Sequence, residues 1–398
     1  MQNYTNKLQC RVCASEDIRQ ILDLNVQPLA NSYHSGDELE QFPLDLNLCR
    51  ECHHLQLGVV VDPDLMFKEY LYVSGTSKTL NQYFRDFVDI CHRYVPTPGK
   101  VLDIACNDGT QLDKFKEMGW DTYGVDPAAN LHEISSKNHR VECDYWTPAV
   151  AKKMACVYDV LVAQNVFAHV DDVHEFLQAC KIVMGPNSRL FIQTSQADMI
   201  TNNEFDTIYH EHLSYFNTKS MKKCANLNGF SLVDTFKTAV HGGSYVFVLA
   251  KGAHDETRAD ESIMLEDAAG LYSEETYDLY KKNCITVADD LVRQVNEFRS
   301  NGMRVVGYGA AAKGNTFLNF SRLKLDYIVD DNELKQGLRT PGQNILIKSP
   351  DALSDEDPNN LVVIPLAWNF FEEIRHKTCQ ITGPSVRFVR YFPEVNVL

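Results

Sequence analysis

Residues 100–126 change hydrophobic period three times. The apolar run "KVLDIA" reads as a buried strand, "CNDGT" as a turn of small and polar residues, "QLDKFKEMG" as an amphipathic helix, and "DTYGVD" as a second strand. Further on, "YDVLVAQNVFAHVDDVHEFLQACKIVMGPNSRLFIQT" repeats strand, polar turn, helix and strand. Alternation of this kind predicts a doubly wound parallel sheet, with ligands at the carboxyl ends of the strands. Residues near 255–300 read as charged helix. "MRVVGYGAAAKGNTFLNF" then predicts strand, tight turn and helix again, and "LVVIPLAWNFFEEIRHK" predicts a closing strand–helix pair. The fold class is therefore α/β, with two successive Rossmann-like units and a cleft between them.

Length and charge narrow the function classes. A chain of 398 residues is too long for one hydrophobic core and predicts two or three domains. With 44% hydrophobic and 23% charged residues it reads as fully folded. No window approaches the roughly 18 apolar residues of a membrane span, and no N-terminal run resembles a signal peptide, so a cytoplasmic protein away from the membrane is expected. A net charge of −16, with no Lys/Arg stripe, argues against a nucleic-acid partner but leaves room for a local basic pocket holding a small anion.

Four of the twelve cysteines form a pattern. Cys10-x2-Cys13 and Cys49-x2-Cys52, 35 residues apart, are two knuckles whose thiolates suit a closed, structural zinc site. His53 and His54 follow but are not needed as ligands. The other eight cysteines are scattered singly and read as small buried residues. A lobe of about 65 residues has little core of its own and needs such a staple.

Two turns suggest ligands. After the first strand, Gly109 lets backbone approach closely, and Asp126 ends the second strand where an acid accepts from ribose hydroxyls. Near the C-terminus, Gly307, Gly309 and Ala312 are spaced as G-x-G-x-x-A, with Asp330 beyond them. That is a dinucleotide fingerprint, and an NAD-dependent oxidoreductase is the rival it raises. Lys313 beside a helix N-terminus suits a diphosphate better than nicotinamide chemistry, with Asn315, Lys335 and Gln336 as helpers.

The run "TIYHEHLSYF", residues 207–216, crowds Tyr209, His210, Glu211, His212, Tyr215 and Phe216 together. Three readings compete: His210 and His212 as metal ligands, histidines satisfied in a core, or proton transfer. A neutral imidazole, with an ordinary pKa of about 6.5, is an available base for a proton beside a ketone. On that reading His212 is the base. Glu211 fixes its tautomer, stabilises the imidazolium or holds a substrate hydroxyl, and a phenol such as Tyr209 donates to the enolate oxygen. Tyr215 and Phe216 read as packing residues.

Together the paired knuckles, "LDIACNDGT", "YHEHLSYF" and "GYGAAAKGNTFLN" resemble the sugar C-methyltransferases that act on dTDP- or other nucleotide-linked 4-keto-deoxysugars. The resemblance covers nearly the whole chain. It implies a zinc-binding lobe over 1–68, a class I methyltransferase domain using S-adenosylmethionine over 69–252, and a Rossmann-like domain over 253–398 that helps bind the nucleotide sugar. It implies methylation at C3 through an enolate. Position by position, Asp103, Asn107, Asp108 and Gly109 match the methionine-side cofactor loop, with Ala105 where the family usually has glycine. Asp126 matches the ribose acid, and Asn165 sits in the turn beneath the sulfonium. Tyr209, Glu211 and His212 match the catalytic Y-x-E-H, with His169 and Tyr72 as further active-site positions. Lys313, Gly314 and Asn315, with Gly243 and Ser244 of "HGGSYVFV", are the substrate-binding candidates, although Tyr245 follows where the family often has arginine. The expected partner is the nucleotide-diphosphate sugar, and the expected assembly a monomer or small homo-oligomer. A zinc-bearing RNA methyltransferase and a non-catalytic scaffold are the remaining alternatives.

Overall fold

A seven-stranded sheet stands at the centre of the computed structural model, which describes residues 3–67, 78–194 and 198–398. Its strand order across the sheet is Phe230–Thr238, Ser244–Lys251, Met184–Thr194, Tyr158–Gln164, Lys100–Ile104, Asp121–Val125 and Arg140–Glu142. Only Ser244–Lys251 runs against its neighbours. The central strands read as continuous apolar runs because helices cover both faces: Val101, Leu102, Val160, Leu161 and Val162 have no measurable exposure. The predicted turn falls between Ile104 and the helix Thr110–Glu117, at the carboxyl end of a central strand.

Before this domain lies a lobe built on the antiparallel strands Ile18–Pro28, Gln41–Cys49 and Leu55–Leu57. A fourth strand, Ser214–Tyr215, pairs with Leu55–Leu57. The lobe's sheet therefore borrows its edge from the far side of the central domain. A third sheet, ordered Ile347–Lys348, Ile328–Val329, Arg304–Tyr308, Leu361–Pro365, Arg387–Arg390 and Asn396–Val397, is parallel except for its last strand. It is entered through the 27-residue helix Glu274–Ser300, whose Tyr277, Tyr280, Cys284, Val287, Leu291, Val295 and Phe298 recur every three or four residues and are buried.

One hydrophobic cluster joins Leu22, Leu44 and Leu57 of the lobe to Phe205, just before the histidine run, and to Ile208 and Leu213 within it. It continues through Leu291 of the long helix into Val305 and Ile364 of the third sheet. The lobe thus shares its core with the C-terminal domain instead of enclosing one, as a unit of its size must. Arg19 and Arg50 of the lobe pair with Glu274 at the helix start at 2.6 and 3.0 Å. Among the described residues, no helix is long and apolar enough to cross a membrane.

Candidate active site and zinc knuckles

Both knuckles are turns closed by their own backbone. The Ala14 N–H donates to Cys10 O and the His53 N–H to Cys49 O, each at 2.9 Å, with Ala14 and His53 in left-handed conformation. This folds Cys10, Cys13, Cys49 and Cys52 inward until all four Sγ atoms lie within 4.8 Å of one another. The Cys10–Cys52 and Cys13–Cys49 pairs are 3.5 Å apart. Tetrahedral zinc with bonds of about 2.3 Å spaces its thiolates by about 3.8 Å, so the set fits the ion. His54 faces away and meets Ser214 Oγ at 3.2 Å.

In the first β–α turn, Asp126 ties the loop with both oxygens, accepting from Asn107 N and Ala128 N at 2.8 Å each. Asp108 accepts from Thr110 N at 3.1 Å, at the start of the next helix. Asp103 is buried beneath them, and its pKa is raised well above the usual carboxylate range by burial and by the charges of Asp126 and Asp108. Ala105 takes the left-handed conformation (φ 63°) that glycine adopts at no steric cost. Gly109 is also left-handed, and a Cβ there would meet the His139 ring at 3.0 Å. On the adjacent strand, Asn165 follows Gln164 in left-handed conformation, with its Oδ1 buried and without a hydrogen-bond partner among the described residues.

The histidine run turns at His210–Glu211 before its short strand, Ser214–Tyr215. The His212 N–H donates to Tyr209 O at 2.8 Å, which brings the two rings together, tilted by 41° with centroids 4.1 Å apart. Thr207 O lies 2.9 Å from His212 Nδ1, and a carbonyl can only accept, so the proton sits on Nδ1. Nε2 is then the basic nitrogen, and it faces the Tyr209 hydroxyl at 2.9 Å. The His169 ring stands edge-on to His212 at 5.0 Å. It hydrogen-bonds the backbone of Asn165 and Glu211, and burial lowers its pKa to about 4, so it is neutral at ordinary pH.

Two expectations about this run change. Glu211 does not set the His212 tautomer, because Thr207 does; its carboxylate accepts from Asn31 Nδ2 of the lobe at 2.6 Å, and burial raises its pKa to about 7. His210 points the other way, to Pro43 O at 3.2 Å and the Phe42 ring, which rules out pairing with His212 on a metal. The four-cysteine group is the one metal-type cluster found among the described residues. Tyr72 lies outside the described residues.

The substrate candidates divide. Lys313 Nζ stands 4.6 Å over the Trp368 ring, and Trp368 donates from Nε1 to Asp206 at 2.8 Å. Burial raises Asp206 to about 7 against the opposing pull of Lys313, and lowers Lys313 in turn. A Cβ on Gly242 would meet the same indole at 2.8 Å. Trp368 therefore joins the "HGGS" turn, Lys313 and the histidine run. Gly314, by contrast, is a packing position, where a Cβ would fall 2.7 Å from Leu366 Cβ. Asn315 donates to Ala30 O at 2.8 Å and Ser244 to Val240 O at 2.9 Å, both buried in scaffolding bonds. Gly243 is left-handed and adjoins Asp198.

The C-terminal fingerprint copies the first turn's construction. Asp330 accepts from Ala310 N at 2.6 Å and Asn332 N at 2.8 Å, as Asp126 does from Asn107 and Ala128. Here, however, Tyr33 of the lobe and Lys335 both donate to Ala310 O, and Gln336 donates to Asp330 O. The C-terminal turn is thus tied to the lobe through Tyr33. Asn31, Asp206, Trp368 and Tyr33 carried no motif, and the sequence did not single them out.

A zinc-knuckle lobe, an open sheet with one reversed strand and an acid-tied first turn, and a second Rossmann-like domain define a methyltransferase-type enzyme with two accessory parts. Family models agree with each part: a family described as a zinc binding domain matches residues 10–67, a methyltransferase domain 79–235, and a C-methyltransferase C-terminal domain 239–393. The C-methyltransferase NovU of Streptomyces niveus is 32% identical over 98% of this chain and 96% of its own length. The chain belongs to this C-methyltransferase family, and it is a methyltransferase. Ubiquinone biosynthesis O-methyltransferases match only locally; that of Leptothrix cholodnii is 30% identical over 24% of this chain and 43% of its own length. Among solved structures, magnesium protoporphyrin IX methyltransferase from Synechocystis with bound SAM shares 14% identity over 43% of this chain and 79% of its own, with a TM-score of 0.34.

Proposed function

We propose that the protein uses S-adenosylmethionine to methylate carbon, at C3, of a nucleotide-linked 4-keto-deoxysugar. The observation that carries this reading is the His212 tautomer: Nδ1–H held by Thr207 O, and Nε2 aimed at a phenol beside it. A base oriented this way has a carbonyl ready to take the charge of the imidazolium it becomes.

S-adenosylmethionine, when bound, supplies the electrophilic methyl. The first turn suits a cation, since Asp103, Asp108 and Asp126 converge there and Asp103 is buried. His212 Nε2 takes the proton from the carbon beside the ketone, and the C–H electron pair becomes an enolate. Tyr209, whose hydroxyl now faces Nε2, turns its proton to the enolate oxygen, and neutral His169 is a second donor. Bound at the first turn, S-adenosylmethionine would supply the methyl for the enolate carbon, its bond to sulfur breaking and the electron pair staying on sulfur. Glu211, protonated near neutral pH and held by Asn31, is suited to a sugar hydroxyl. Lys313 over Trp368 is the cation for the diphosphate. Eight cysteines outside the knuckles, none in a disulfide, support a reducing, cytoplasmic setting.

The test is incubation with methyl-labelled S-adenosylmethionine and a panel of nucleotide-linked 4-keto sugars. The reading predicts a mass gain on carbon with every exchangeable hydroxyl retained. Label on oxygen or nitrogen would refute it.

A further inference from the structure

Arg11 lies inside the first knuckle, between Cys10 and Val12, and its side chain has no exposure. A guanidinium so placed needs acceptors, and these acceptors are informative. Nε donates to Asp171 Oδ1 at 3.0 Å, and Nη1 to Leu57 O at 2.7 Å, while the Arg11 backbone N–H donates to Gln56 Oε1 at 2.8 Å. Asp171 is two residues past His169, on the same turn. Leu57 belongs to the strand that pairs with Ser214–Tyr215, two residues past His212, and its N–H donates to Leu213 O at 3.1 Å. The second knuckle reaches the same place: His53 O accepts from Asn217 Nδ2 at 2.7 Å, and the His54 ring packs on Phe216. Phe216 in turn stacks on Phe167, two residues before His169.

We propose that Arg11 is a positioning residue, which holds the His169 turn and the segment after His212 in one register from within the zinc knuckle. The imidazole pair, 5.0 Å apart on elements 43 residues distant in sequence, is spaced by that clamp. The proposal rests on the reading that His212 and His169 serve the reaction, so its test carries a measurement independent of turnover.

Zinc-loaded, full-length Arg11→Gln and Asp171→Asn cut the clamp at its two ends; Asp171 is 41% exposed, so its variant spares the core. Both are expected to retain zinc by native mass spectrometry and to exchange backbone amides of 166–172 about tenfold faster. Both should lose roughly 10–100-fold in kcat with KM nearly unchanged, as for a misplacement on the ångström scale. Arg11→Lys, which reaches one acceptor at a time, should recover part of the rate. Exchange that changes only within residues 9–57, or an Asp171→Asn variant with wild-type exchange and rate, overturns the proposal. Should no nucleotide sugar turn over even with wild type, the proposed reaction fails while the exchange comparison still decides Arg11.

Discussion

Glu211 shows how far one residue's role depends on its surroundings. Its motif neighbours suggest service to His212, yet Asn31, 180 residues away in sequence, holds its carboxyl. A carboxyl raised from an ordinary 4.5 to about 7 keeps its proton in the fold after the unfolded chain has lost it. The native state then binds more protons than the unfolded state between those values. This contribution to stability is complete below pH 4.5 and is lost as pH rises through about 7. Glu211→Gln keeps an oxygen for Asn31 and cannot titrate. Its melting temperature should fall less than that of wild type between pH 5 and pH 8, the residual slope coming from other buried acids that shift the same way, Asp206, Glu204 and Asp103 among them. Parallel melting curves across that range would refute the assignment. The four cysteines were legible because thiolate spacing is a property of short distance along the chain, whereas His169 was named through the family resemblance alone. Asn31 and Asp206 were not, because a buried hydrogen bond between remote segments leaves no local mark.

Among elements, the two strand–turn–helix units were readable from hydrophobic period alone, and their bounds fall where the pattern changes. What period could not reveal is how differently the two turns are tied. The first and second turns share an acid tying two backbone N–H groups, but only the second has Tyr33 and Lys335 on its carbonyl. Gly314, in the helix that follows, is expected from sequence to touch substrate and instead lets that helix lie against Leu366. Gly314→Ala should therefore destabilise the chain by about 1–3 kcal/mol through overpacking, measured by urea unfolding, with KM for the sugar nucleotide unchanged in the folded fraction. A raised KM at full stability would restore the substrate role.

At the scale of the molecule, the histidine run is where three parts meet. It adds a strand to the zinc lobe and follows the central sheet, while Phe205, just before it, packs on Phe317 of the C-terminal domain. Because the lobe's leucines share one cluster with the long helix and the third sheet, loss of zinc should not melt the lobe alone. Cys49→Ser is expected to shift the main calorimetric transition downward; a separate early transition with the main one unmoved would contradict the shared core. The proposed reaction turns on one step, removal of a proton from carbon by Nε2 of His212. Its most direct measurement is exchange of the C3 hydrogen of a nucleotide-linked 4-keto sugar in deuterated water, by NMR, with S-adenosylhomocysteine in place of the methyl donor. Wild type should wash deuterium into C3, and His212→Asn, binding both ligands, should not. Equal exchange in the two proteins would contradict the account.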